Sequence, residues 1–163
     1  MHKGKLKQHI ILLILICSSY AKAAIVPYIV ETKSLYFGNI VFVPGSCLMA
    51  YDSQLISPLT PQNICTSTLG AAGSYRIFAN PNKQVQIKIK SHADSGNGIV
   101  YVPDGQLVSD VANALIIADT TQTINSGVSG IIDITLGGRL TINNNLASSS
   151  TYSELFDIEF VEL

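Results

Sequence analysis

Gln84-Val85-Gln86-Ile87-Lys88-Ile89-Lys90 alternates polar and apolar residues without a break. Successive side chains of an extended chain point to opposite faces, so this stretch reads as a strand with one wet and one apolar face. An α-helix would scatter the same residues around its circumference. A strand of this kind needs a cover over Val85, Ile87 and Ile89, and the fold class follows from what the rest of the chain offers.

It offers further short strands. Period-two or apolar runs at residues 25–32, 35–43 (crossing Gly38), 74–79, 99–102, 115–118, 131–136, 140–143 and 152–161 are separated by Gly, Pro, Asn, Asp and Ser. Asn80-Pro81-Asn82 is a turn between two of them, and Gly96-Asn97-Gly98 and Pro103-Asp104-Gly105 read as turn clusters. Gly137-Gly138 predicts a two-residue hairpin, because both central positions of a type I′ turn need positive φ. Gly38 inside an apolar run predicts a bulge or a close backbone approach. No run carries a sustained helical period, although residues 108–117 have room for one short helical turn. Eight or nine short strands with frequent turns predict an all-β, antiparallel, immunoglobulin-like β-sandwich.

The chain has 163 residues, 47% hydrophobic and 13% charged, with a net charge of -1. That is one domain's length, too apolar for a disordered chain and too neutral for a nucleic-acid binder with a basic surface. Residues 1–23 read as a cleaved signal peptide: Lys3, Lys5 and Lys7 precede an apolar run over residues 10–17, and Ala21-Lys22-Ala23 gives the A-x-A pattern for a cut before Ala24 or two residues earlier. The run is far short of the roughly 20 residues of a membrane span. Ile16 before Cys17 is too large for a lipoprotein signal. The expected organisation is signal peptide 1–23, an apolar N-terminal segment 24–33 and a domain over 34–163. Cleavage leaves six basic and eleven acidic residues, a net charge of -5. The expected location is the periplasm, the cell surface or the outside of the cell.

Cleavage also removes Cys17 and leaves Cys47 and Cys65, an even pair bound for an oxidising compartment, which reads as one disulfide. The competing reading, a reactive or metal-binding pair, lacks C-x-x-C spacing and a neighbouring histidine. Ser91-His92-Ala93-Asp94 holds the types of a catalytic triad, but adjacent strand residues face opposite ways, and the composition is that of a polar connection. Asp104 and Asp110 do not form a calcium loop. Glu154, Asp157, Glu159 and Glu162 read as a solvated strand face rather than a glycosidase pair. No catalytic residue, metal or cofactor is assigned.

Leu35-Tyr36-Phe37-Gly38-Asn39-Ile40, Tyr75-Arg76-Ile77-Phe78-Ala79-Asn80-Pro81-Asn82, Gly137-Gly138-Arg139-Leu140-Thr141-Ile142 and Tyr152 before a terminal alternating strand, taken in order, resemble a bacterial exported family known as a domain of unknown function (four-four-zero-two). Its motif positions here are Leu35, Phe37, Gly38, Ile40, Gly138, Leu140, Ile142 and Tyr152, and Ser and Thr replace the glycines it places around that tyrosine. Members look like fimbrial-subunit-type, immunoglobulin-like sandwiches. The resemblance implies a surface or fimbria-like subunit, with other copies, other surface subunits or a periplasmic chaperone as partners. In such assemblies a neighbour's N-terminal strand completes the sheet. Here the candidate donor residues are Ile25, Val26, Tyr28, Ile29 and Val30. The same segment also reads as the first strand of a complete domain, for Pro27 suits an edge. The alternative function is a monomeric periplasmic or secreted binding module whose loops, at 91–98 or 143–150, contact a ligand.

Overall fold

The computed structural model describes residues 25–59, 62–94, 96, 98–146 and 156–163. These form eleven strands and no helix: β1 (Tyr28–Lys33), β2 (Gly45–Met49), β3 (Ile56–Leu59), β4 (Gly73–Phe78), β5 (Gln84–Ile89), β6 (His92–Asp94), β7 (Ile99–Val108), β8 (Asn113–Ile117), β9 (Thr121–Asn125), β10 (Ile131–Ile142) and β11 (Ile158–Glu162). Every pairing is antiparallel. The expected all-β, two-sheet class is the fold observed, with more strands than expected.

The two longest strands, β7 and β10, organise the larger sheet, paired in continuous register from Asp133↔Val108 to Ile142↔Ile99. On the other side of β10, β4 pairs with its first half and β2 with its second. Beyond these lie β1 on β4 and β3 on β2, while β8 and β6 border β7. The smaller sheet has the order β11-β5-β9.

The smaller sheet covers half of the larger one. Val85, Ile87 and Ile89 of β5 and Ile124 of β9 pack on Ile77, Leu107, Ile132, Ile134 and Leu136, forming one core cluster. The opening stretch therefore does what its alternation predicts, with its three apolar side chains almost wholly buried. The other half carries Met49, Ile99, Tyr101, Leu140 and Ile142, covered by the irregular segment that supplies Phe37, Ile64 and Cys65. An irregular cover has no ladder to hold it, and the Cys47–Cys65 disulfide ties it to β2.

Four expectations are corrected. Residues 35–43 are not a strand; they make isolated bridges at Tyr36↔Ala71 and Ile40↔Cys65, because Gly38 takes φ +74° and turns Phe37 into the core. Gly38 does mark a close approach, since a Cβ there would lie 2.5 Å from the Cβ of Ser67. Gly137-Gly138 is no hairpin and Pro103-Asp104-Gly105 no turn. They lie inside β10 and β7 and face each other, Gly137↔Asp104 and Gly138↔Pro103, where these strands pass from one core cluster to the other. Apolar runs on both sides hold the chain extended through residues that would otherwise reverse it. Residues 108–117 form no helical turn but a tight reversal into β8, where the Ser109 hydroxyl accepts the amides of Val111 and Ala112. Of the expected terminal strand, residues 152–155 lie outside the described residues, as do Tyr152 and residues 1–24.

Candidate functional site: an edge strand and a polar groove

β1 is an edge strand. Among the described residues its ladder partner is β4, from Tyr28↔Phe78 to Lys33↔Ser74, with an irregularity between Glu31 and Lys33. Tyr28 stacks on Phe78 on the outer face, with ring centroids 4.8 Å apart. Of the candidate donor residues, Ile29 packs against the core, while Ile25, Val26, Tyr28 and Val30 are exposed. Beneath the strand, burial and the neighbouring Glu31 push the Tyr75 hydroxyl up to about 12.

Five of the family-motif positions among the described residues converge elsewhere. Phe37, Leu140 and Ile142 are buried in the second core cluster, Leu35 and Ile40 pack against it, and both cysteines belong to it. Gly138 takes φ +130° where a Cβ would lie 2.4 Å from the Val102 carbonyl oxygen. These positions form the packing around the disulfide. Tyr101 ties the same cluster together, donating its buried hydroxyl to the Gly137 carbonyl at 2.5 Å; burial raises its pKa strongly.

The outer face of the larger sheet carries a polar groove of about 290 Å³, lined by Lys33, Tyr51, Asp52, Gln54, Ala72, Ser74, Gln106 and Thr135. Register builds its floor: Lys33, Ser74, Thr135 and Gln106 are successive cross-strand partners on β1, β4, β10 and β7. Its wall is the turn after β2. That turn crosses the sheet over Gly137, where a Cβ would lie 2.3 Å from the Met49 carbonyl oxygen and 2.7 Å from the Tyr51 nitrogen. The groove joins residues far apart in the chain, and no local motif announces it.

Ser91 serves Asp119 rather than His92. Its hydroxyl and backbone amide donate to the two oxygens of Asp119 at 2.5 and 3.1 Å, and these bonds hold the Asp119 carboxyl below its usual range. His92 and Asp94 lie in β6, with His92 opposite Tyr101. On β11, Glu159 pairs with Lys90 and Glu162 binds Asn80. Among the described residues, no three His, Cys, Asp or Glu side chains gather as metal ligands, and no helix is long and apolar enough to cross a membrane.

The chain matches no family model, no curated protein and no solved structure.

Proposed function

We propose that the protein is an exported structural subunit of a bacterial surface assembly, fimbria-like, in which β1 mediates association between copies by strand addition. The observation that carries this reading is the peripheral attachment of β1. Among the described residues it has a ladder with one strand and one half-buried side chain, Ile29, against the core, so its exchange removes none of the buried residues of either core cluster. Once β1 leaves, the edge of β4 presents unpaired amides and carbonyls that the same strand of a second copy satisfies equally well. A disulfide inside the domain suits an oxidising compartment, and the signal-like residues 1–23 and the resemblance to exported fimbrial-type sandwiches support the same reading. A periplasmic chaperone that covers the open edge before assembly fits this scheme. No catalysis is assigned.

The test uses the exported protein and a form lacking residues 24–32. Light scattering is expected to find concentration-dependent oligomers of the first and monomers of the second, and the shortened form should bind a synthetic 24–32 peptide. Full-length protein that stays monomeric, together with a shortened form that ignores the peptide, would overturn the proposal. Chaperone and usher genes beside this one are also expected.

A further inference from the structure

The outer face of a sheet is ordinarily a convex, solvated surface, and polar side chains there need no explanation. The groove departs from that in three ways. It is walled: the turn bearing Tyr51, Asp52 and Gln54 rises over Gly137 beside the floor. Its wall is rigidly set, since Gln54 holds φ +59°, a conformation costly to a side-chain-bearing residue, and its backbone is fixed by bonds from its amide to Ala50 and from the Gly70 amide to its carbonyl, 2.9 and 3.0 Å. Next to it, Oδ1 of Asp104 is buried without a hydrogen-bond partner among the described residues. Asp104 is two residues from Gln106 on β7, and therefore on the same face, and it is close enough to Asp52 for the two carboxylates to repel.

The chemistry of the lining narrows what fits. Ser74 and Thr135 supply hydroxyls, Gln54 and Gln106 carboxamides, and Tyr51 a phenol with a ring face, so donors and acceptors are mixed at close spacing. Lys33 and Asp52 are the charged lining residues, of opposite sign, and Lys33 Nζ reaches Gln54 Oε1 at 3.4 Å. The lining favours neither an anion nor a cation, and it has no large aliphatic side chain to hold an apolar ligand. The volume lies at the lower end of small-molecule pockets, about 300–1,000 Å³. A vicinal diol matches such a surface, since each hydroxyl both donates and accepts.

We infer that this groove binds a neutral polyhydroxylated ligand, a sugar unit of one or two rings, through Ser74, Gln106 and Thr135 on the floor and Asp52 and Gln54 on the wall. The ligand's hydroxyls donate to the Asp52 carboxylate and accept from the carboxamide nitrogens of Gln54 and Gln106. Lys33 of β1 lines the groove, but the five binding residues lie on β4, β7, β10 and the turn after β2, so failure of this inference leaves strand addition at β1 standing.

The probes are D-glucose, D-galactose, N-acetyl-D-glucosamine and their β-linked disaccharides, each titrated into isotope-labelled exported protein while amide resonances are followed. At least one is expected to give saturable shifts centred on Gln54, Ser74, Gln106 and Thr135. A Gln106→Ala/Thr135→Val variant removes two neutral hydrogen bonds and should weaken binding about tenfold. If that variant folds poorly, Gln106→Ala alone should weaken the same sugar's binding severalfold. No saturable shift with any sugar, equal affinity in the variants, or a response confined to calcium ions or free lysine overturns the inference.

Discussion

Asn80 and Glu162 join the two ends of the domain. The backbone amide of Asn80 donates to Oε2 of Glu162 at 2.7 Å, and its side-chain Nδ2 donates to both carboxylate oxygens at 2.9 and 3.1 Å. The same side chain brackets Ile25 just before β1, accepting its amide at 2.9 Å and donating to its carbonyl at 3.0 Å. One asparagine thus ties the start of β1, the turn after β4 and the end of β11 to a single point.

Asn80→Ala removes the side-chain half of this clasp and leaves the carboxylate with the backbone amide alone. Hydrogen bonds to a charged group contribute about 1.5–3 kcal/mol each, so a loss of about 2 kcal/mol is expected in urea unfolding. Amide exchange should quicken first in β1, whose N-terminal tether is gone. Exchange that rises uniformly through the domain would show that the clasp does not act on β1.

The disulfide should matter most where the smaller sheet does not reach. Cys47 and Cys65 are buried, 18 residues apart in the chain, and link β2 to the irregular cover over Met49, Tyr101 and Leu140. Closing a loop of that size stabilises a fold by about 3 kcal/mol. A Cys47→Ala/Cys65→Ala variant is expected to lose about that much by denaturant unfolding, with Phe37 and Ile64 losing protection before Val85 or Ile132. Two free thiols in the non-reduced native protein, detected by mass, would refute the bond itself.

Tyr101→Phe probes the junction between the two core clusters. The ring stays, packed between Phe37 and Phe156, but the Gly137 carbonyl loses the hydroxyl that reaches it. Removing one donor from a buried acceptor costs about 1–3 kcal/mol, and the variant should unfold at correspondingly lower urea. A variant as stable as the parent would mean that the carbonyl finds a second donor.

What the sequence disclosed follows from the range of the interactions. β5 was legible because its alternation is local, and the Asn80-Pro81-Asn82 turn because its residue types dictate backbone angles, with Asn82 at φ +59°. Cys47 and Cys65 were legible by counting. Gly137-Gly138 misled because the same residues suit a reversal and a close crossing, and only the turn packed above Gly137 decides between them. β2, β3, β6 and β9 are short or interrupted by Ser, Pro, Thr and Gln, and become strands through partners elsewhere in the chain. The groove was invisible for the same reason, its floor being one residue from each of four strands.

Asp104 gives the stability a pH dependence of predictable sign. Burial, and then the negative charge of Asp52, push its carboxyl above the ordinary aspartate value. The folded chain therefore binds a proton more tightly at this site than the unfolded chain does. Between the unfolded and folded values the native state holds more protons, so stability falls as pH rises through that window. The penalty is absent below the unfolded value and complete above the folded one. Asp104→Asn removes the charge and supplies a donor towards Asp52, so the variant should gain stability over the parent as pH rises from below about 4 to neutrality, while the two converge in acid. Asp52→Asn should reduce the same slope without abolishing it, because burial is the larger cause. Urea midpoints of the three proteins across this range decide the matter: parallel pH profiles for parent and Asp104→Asn would mean that the carboxyl is solvated, and that no unmet acceptor lies beside the groove.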